Sequence, residues 1–137
     1  LFHVIEYKPS PELPDDDYPL TLTTGRMLYH YHTGNMSRRS AGLDAYVPEG
    51  TIEIHPEDAA RFAVEDGELV EVSSRRGTVR VKAEVTNRPR PGVVFMTFHF
   101  KEAAANLLTI DAVDPIAKIP EFKVCAVRVR KLEGAAV

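Results

Sequence analysis

The stretch TIEIHPEDAARFAVEDGELVEVS, residues 51–73, indicates how this chain folds. Apolar and polar residues alternate at its start, which is typical of a half-buried strand. Pro56 suits the first turn of a short helix that runs to Phe62. The turn Asp66-Gly67 then leads into a second alternating strand. This order of strand, short helix, turn and strand favours a small Greek-key-like or psi-type barrel over a doubly wound parallel sheet.

Further strands flank this unit on both sides. A hairpin in which residues 69–73 and 78–85 are joined at Arg75-Arg76-Gly77 is the most direct local prediction. The run 93–98 is mostly apolar, so we expect it to be buried on both faces. So many short strands favour a closed barrel or a sandwich. The predicted strands are 20–24, 51–54, 69–73, 78–85, 93–98 and 124–130, with one helical turn at 102–106 and irregular chain at 26–50 and 106–120.

Composition limits the classes of protein to consider. The chain has 137 residues, 44 % of them hydrophobic and 27 % charged, which fits one soluble globular domain. A net charge of −3 argues against a broad nucleic-acid or membrane surface, and no apolar run is long enough for membrane insertion. The single Cys125 excludes an internal disulfide. Since the first residue is Leu1, we expect an excised fragment or a processed product.

The prolines and the acidic run near the start predict an extended segment. We therefore divide the chain into a lead-in linker (1–18), a barrel domain (19–131) and a flexible tail (132–137).

A second stretch, from Leu22 to Arg39, carries the candidate chemistry. It contains Gly25 and Gly34, four neighbouring aromatic or imidazole rings, and paired arginines. Glycine permits close approach of the backbone to a ligand, arginine binds phosphate, and flat rings stack on heterocycles. We interpret the stretch as one wall of a site for a large, flat, anionic ligand, with a polar surface loop as the alternative. The phosphate candidates are Arg26, Arg38, Arg39 and Lys123, and the rim candidates are Phe98, His99, Asn106 and Phe122.

Other chemistries have weaker support in the sequence. His30, His32 and His99 are a possible three-histidine metal site, but no glutamate follows them closely, and hydrogen bonding or packing is the alternative. Cys125 lies among Val and Ala in a strand, as a small buried hydrophobe does. The paired carboxylates stand at helix starts and turns, where capping and solvation explain them. No nucleophile elbow, phosphate loop or dinucleotide glycine pattern is present.

Several segments, in order, resemble the C-terminal domain of the molybdenum- and tungsten-containing formate dehydrogenases of the dimethyl sulfoxide reductase superfamily. The resemblance covers residues 18–129. Its segments are Thr23-Thr-Gly-Arg26, His30-Tyr-His-Thr-Gly-Asn-Met-Ser-Arg-Arg39, Ile54-His-Pro-Glu-Asp-Ala59, Asp66-Gly67, Val72-Ser-Ser-Arg-Arg-Gly77, Pro91-Gly-Val-Val-Phe-Met-Thr-Phe-His-Phe100, Asn106-Leu-Leu-Thr109, and Asp114-Pro-Ile-Ala-Lys-Ile-Pro-Glu-Phe-Lys-Val-Cys-Ala-Val-Arg-Val129.

This resemblance implies a mainly β fold, a double-psi β-barrel with one or two short helices. It also implies a bis(molybdopterin guanine dinucleotide) cofactor carrying molybdenum or tungsten. Phe98 and Phe122 stand where relatives have tyrosine, which keeps the stacking but loses two hydroxyl groups. The cofactor-binding residues that we predict are Thr24, Gly25, Arg26, Met27, Leu28, His30, His32, Phe98, His99, Asn106, Phe122 and Lys123.

By the same resemblance, the catalytic equipment lies in an upstream portion of the large subunit. That portion holds the metal ligand, the formate-orienting arginine and the iron–sulfur cluster, so we predict no catalytic and no metal-binding residue in this chain and no activity for it alone. The expected partners are the upstream domains and electron-transfer subunits. The expected location is the cytoplasm, with the periplasm as an alternative. Two other hypotheses remain: a stand-alone barrel subunit, as in formylmethanofuran dehydrogenase, and a protein-interaction barrel without catalytic function.

Overall fold

The computed structural model describes residues 1–132, which form six strands, two short α-helices and three single 3-10 turns. The 3-10 turns are Ser37–Arg39, Lys101–Ala103 and Ala105–Leu107. The strands are β1 (Leu20–Gly25), β2 (Thr51–Ile54), β3 (Leu69–Ser73), β4 (Thr78–Val85), β5 (Val93–Thr97) and β6 (Cys125–Lys131), and the helices are α1 (Ala41–Tyr46) and α2 (Pro56–Arg61).

The strands close into a barrel in the order β1-β5-β2-β4-β3-β6, with β6 returning to β1. Two pairs are parallel, β1 with β5 and β2 with β4, whereas the other four are antiparallel. Closure pairs both sides of every strand, so the barrel leaves no strand edge open. The predicted mainly β class and the double-psi β-barrel with two short helices are confirmed.

The barrel interior is filled by alternate residues of each strand. Leu20 and Leu22 of β1, with Ile52 and Ile54 of β2, are fully buried. Because strand side chains alternate between faces, the residues between them point outward. The prediction that residues 93–98 are buried on both faces was wrong for this reason, since Val93, Phe95 and Phe98 keep intermediate exposure.

Helix α2 is fixed to the barrel by a carboxylate that the sequence analysis assigned to capping and solvation. Asp58 is only 5 % exposed, and it accepts a hydrogen bond of 2.6 Å from the backbone N–H of Gly92. The prediction of a solvated Asp58 was therefore wrong. A buried N–H group needs a partner, and this carboxylate supplies one for the connection before β5.

The segment between β1 and β2 is more ordered than predicted. It contains the 3-10 turn at Ser37 and helix α1, so the prediction of irregular chain over 26–50 was wrong there. The buried ring of His30 ties the segment together, with one nitrogen 3.1 Å from Ser37 Oγ and the other 2.8 Å from the carbonyl oxygen of Val47. These contacts join residues far apart in the segment, which explains why local patterns did not reveal them.

The chain before β1 has no regular structure, and its first nine residues are exposed. Nearer the barrel, the side chain of Glu12 is only 14 % exposed and lies against the β3–β4 turn. No helix within residues 1–132 is long and apolar enough to cross a membrane. Most of the predicted tail, residues 133–137, lies outside the described residues, and the domain bounds stay a prediction.

Candidate functional site

One end of the barrel carries a cavity of about 350 Å³ that gathers residues from three distant parts of the chain. Since β1 and β5 are parallel, their carboxyl ends lie on the same rim, and antiparallel β6 begins there. The residues that follow β1, follow β5 and precede β6 therefore meet. The lining residues are Thr24, Arg26, His32, Thr33, Phe98, Asn106, Phe122 and Lys123.

Two crossed hydrogen bonds join the end of β1 to the residues just before β6. Thr24 Oγ1 donates to the carbonyl oxygen of Phe122 at 2.7 Å, and Lys123 Nζ donates to the carbonyl oxygen of Thr24. The Lys123 ammonium group is thereby held on the end of β1, and Arg26, the first residue after β1, lines the same cavity. A single ligand that touches both residues requires them to share one side of the barrel, and they do.

The chemistry of this cavity fits a flat anionic heterocycle. Phe98 and Phe122 supply aromatic faces, and the His32 ring packs edge-on to Phe98 with centroids 5.9 Å apart. Neither Arg26 nor Lys123 forms an ion pair with a carboxylate among residues 1–132. Two unneutralised cations beside stacking rings and the Asn106 amide form a donor set suited to phosphate and to a pterin or purine edge.

The backbone at His32 supports the same view of the cavity. Its φ of 51° lies in the left-handed region, which residues other than glycine seldom adopt. Such conformations cost roughly 1–3 kcal/mol and cluster at functional sites. In this conformation the imidazole packs edge-on to the Phe98 ring, on the cavity wall.

The fold gives a packing reason for Gly25 that is independent of the predicted ligand contact. A Cβ atom placed on Gly25 lies only 2.6 Å from the ring of Phe95, the neighbouring outward residue of β5. A side chain at this position would have to displace the Phe95 ring, so packing in the barrel wall favours glycine here. The ligand contact of Gly25 stays a prediction.

Met27 and Leu28 line a neighbouring cavity of about 300 Å³, which Arg26 also borders. Its floor holds Glu53, whose carboxylate accepts a hydrogen bond of 2.8 Å from Arg88. Burial raises the pKa of Glu53 above its ordinary value, against the opposing effect of Arg88. Arg26 thus borders both cavities, whereas Met27 and Leu28 line only the second cavity, the one that contains Glu53.

His30 and His99 form a buried pair of rings and do not line the first cavity. Their ring centroids are 5.0 Å apart, and both side chains are buried. Burial, and then the charges of His30 and Arg38, lower the pKa of His99 to about 4, so its imidazole is neutral at pH 7. His30 serves the loop through its hydrogen bonds to Ser37 and Val47, and His99 borders a third cavity, of about 340 Å³, together with Arg39.

The possible three-histidine metal site is not formed. The buried ring of His30 and the exposed side chain of His32 occupy different environments, since the chain turns at His32 instead of continuing as a strand. Across residues 1–132, no group of three or more histidine, cysteine, aspartate or glutamate side chains is arranged to hold a metal ion.

Arg38, one of the four phosphate candidates, is already engaged within the fold. Its guanidinium group lies 3.2 Å from Asp44 and 2.9 Å from Glu102, and it stacks over the Phe100 ring at 4.9 Å. These contacts hold the loop against the chain after β5. Thr33, in contrast, lines the cavity but was missing from the predicted set; its position directly after His32 was the available signal.

Cys125 is the first residue of β6 and is 1 % exposed. Burial raises the pKa of its thiol to about 11. The prediction of a small buried hydrophobe is confirmed.

Comparison with known proteins identifies the class. Residues 20–126 match the family described as the molydopterin dinucleotide binding domain, and the chain belongs to that family. The match spans all but the end of the barrel and includes every lining residue of the first cavity.

The particular relatives narrow the comparison further. The chain is 52 % identical over 128 residues to the alpha subunit of F420-dependent formate dehydrogenase 1 from Methanococcus maripaludis, and 52 % identical over 128 residues to the corresponding subunit from Methanocaldococcus jannaschii. Each alignment covers 93 % of this chain and 19 % of the relative, so the chain spans about a fifth of the relatives' length. Acetylene hydratase from Pelobacter acetylenicus superimposes with a TM-score of 0.73 over 84 % of this chain and 18 % of that one. At 15 % identity, that likeness shows the fold alone.

Proposed function

We propose that this chain is the barrel domain that holds a bis(molybdopterin guanine dinucleotide) cofactor in a formate dehydrogenase large subunit. The observation that carries the proposal is the gathering of Arg26, Asn106 and Lys123 with two aromatic rings around one cavity. The family match and the names of the relatives support the same ligand and the same enzyme.

The chain's own residues would bind and orient the cofactor. Lys123, held on the Thr24 carbonyl, and Arg26 provide positive charge for the phosphate groups. Phe98 and Phe122 give stacking surfaces, and Asn106 offers both a donor and an acceptor to a heterocycle edge. The predicted contacts of Gly25, Met27, Leu28, His30 and His99 belong to this proposal as flanking positions, outside the lining of the first cavity.

In the complete enzyme, the molybdenum or tungsten centre supplies the redox chemistry of formate oxidation. We propose that the upstream portion of the subunit contributes the metal ligand, the formate-binding residues and the iron–sulfur cluster, and that this chain alone oxidises no formate. The remaining partners would be electron-transfer subunits. The relatives' names favour F420 as the electron acceptor. The cytoplasm remains the location that we propose, with the periplasm as the alternative.

A titration of the chain with molybdopterin guanine dinucleotide released from a molybdoenzyme tests the proposal. We expect amide chemical-shift changes over residues 24–32 and at Lys123. Arg26→Ala should weaken binding about tenfold or more, because a charge-assisted phosphate contact is lost. Arg80→Ala removes an exposed arginine of β4 outside the cavity and should have no effect. Shift changes that avoid residues 24–32 and Lys123 would overturn the site.

A further inference from the structure

The hairpin turn between β3 and β4 joins three parts of the chain through one side chain. Arg76 Nε and Nη2 donate to the carbonyl oxygen of Leu108, at 3.1 and 2.9 Å. Its two terminal nitrogens also donate to the two carboxylate oxygens of Glu12, each at 2.7 Å. The fork of the guanidinium group therefore links the lead-in segment, the turn and the chain beyond β5.

Each partner of Arg76 is itself fixed. The Glu12 carboxylate accepts a further hydrogen bond of 2.8 Å from the backbone N–H of Ala126 in β6. The hydrogen bond to Arg76, and the nearby arginine charges, lower the pKa of Glu12, although its burial acts in the opposite direction. Leu108 is fully buried, so its carbonyl group depends on a protein donor. Removal of Arg76 would leave a buried carbonyl group and a half-buried carboxylate without their main partner.

The segment that Arg76 holds is the one that presents Asn106 to the cavity. Asn106 lies in the 3-10 turn Ala105–Leu107, and Leu108 is the residue that ends this turn. The β3–β4 hairpin also packs closely against this 3-10 turn, since a Cβ atom on Gly77 would lie 2.8 Å from the carbonyl oxygen of Leu107. The Asn106 side chain lines the cavity, whereas Arg76 does not.

We propose that Arg76 is a positioning residue for the cofactor site: through Leu108 it holds the 105–108 turn, and so the Asn106 amide, in place. The effect on ligand binding rests on the function proposed above, whereas the effect on the turn does not. Glu12 of the lead-in segment accepts the remaining hydrogen bonds of the Arg76 guanidinium group. Arg76 therefore also couples the lead-in segment to the cofactor site.

The neighbouring arginine supplies a matched control. Arg75 also contacts the lead-in, with Nη1 3.4 Å from Glu12 and Nη2 paired with Asp15, and it stacks on the Tyr18 ring at 4.7 Å. It makes no hydrogen bond to residues 105–109. Arg75→Gln therefore removes the same charge from the same turn but leaves the hold on the Leu108 carbonyl.

The first measurement needs no ligand. In the full 137-residue chain, the amides of Leu107 and Leu108 donate to the carbonyls of Ala104 and Ala105, so their hydrogen exchange reports the stability of the turn. We expect the two amides to exchange about tenfold faster in Arg76→Gln than in Arg75→Gln, because only Arg76→Gln removes the hydrogen bonds from a charged donor to the Leu108 carbonyl. Arg76→Lys, which reaches one partner but not both, should fall between them and serves if Arg76→Gln does not fold. Equal exchange in the Gln variants would overturn the proposal.

The second measurement separates positioning from general stability by a double-mutant cycle with released molybdopterin guanine dinucleotide. Arg76→Gln should weaken binding about tenfold in the native background and have little effect in an Asn106→Ala background, because coupled residues are not additive. An equal loss in both backgrounds would overturn the proposal. Should the native chain bind no dinucleotide, the proposed function fails, and the exchange comparison still decides whether Arg76 holds the turn.

Discussion

Gly77→Ala should destabilise the barrel, although the substitution adds only one methyl group. The added Cβ atom would lie 2.8 Å from the carbonyl oxygen of Leu107 and 3.5 Å from the Leu107 Cβ atom. A Cβ atom does not tolerate such an approach, and the obstacle is backbone, which a rotamer change does not remove. The turn that carries Leu107 is in addition held by Arg76 through Leu108. We therefore expect the two segments to separate.

The cost of overpacking a closely fitted contact is about 1–3 kcal/mol. For a chain of this length, that loss lowers the melting temperature by roughly 3–10 °C. Gly42→Ala is the matched control, because a Cβ atom on Gly42 meets nothing within 4 Å, and Gly42 lies inside helix α1. Alanine is the better helix former by about 1 kcal/mol, so Gly42→Ala should raise the melting temperature slightly.

Thermal and urea unfolding of both variants, followed by circular dichroism, measures these changes. A Gly77→Ala chain as stable as the native one would refute the view that the hairpin turn and the 105–108 turn are in fixed contact. A destabilised Gly42→Ala chain would instead show that the short helix α1 has packing constraints absent from this structure.

Three further predictions concern buried groups. Asp58→Ala should lower the free energy of unfolding by about 1–3 kcal/mol, because the Gly92 N–H loses its acceptor, whereas Asp58→Asn keeps an acceptor and should cost less; equal losses in urea unfolding would contradict this. Native Cys125, with its raised pKa and 1 % exposure, should react with a disulfide reagent only after unfolding, and rapid labelling of the native chain would disprove its burial. Since the pKa of His99 is lowered to about 4 in the folded chain, the unfolded chain binds the extra proton as pH falls from 6.5 to 4, and the free energy of unfolding declines over that window by roughly 3 kcal/mol. His99→Gln should reduce the loss between pH 7 and 5, and an unchanged loss would assign it to other groups.

The parts of the fold that depend on local alternation were predictable from the sequence. The bounds of β2, β3 and β4 agree with the predicted strands, because each alternates clearly and is bounded by turn residues. The structure of the segment after β1 was not predictable in this way. Its order depends on His30 reaching Val47 and on Arg38 reaching Glu102, and nothing in the local sequence signals such distant partners.

The candidate site likewise has a part that was predictable from the local sequence and a part that was not. Glycine, arginine and neighbouring rings pointed to an anionic ligand at the end of β1, and Asn106 and Lys123 were named as candidates, but no local pattern showed that they lie beside that end of β1. The parallel pairing of β1 with β5 brings these residues together, and pairing partners so far apart cannot be derived from periodicity. The role of Arg76 was missed because an arginine pair at a hairpin turn is, by sequence, an ordinary solvated turn.

The pairing of the first strand has a consequence for how the chain acquires its structure. The two neighbours of β1 are β5 and β6, which come last along the chain among the six strands within residues 1–132. A nascent chain that ends before Cys125 therefore exposes one unpaired edge on β1 and another on β3, whose own outer neighbour is also β6. Contacts between such distant residues form slowly. The barrel should accordingly close only after β6 has left the ribosome, and products that end before β6 should self-associate along those edges.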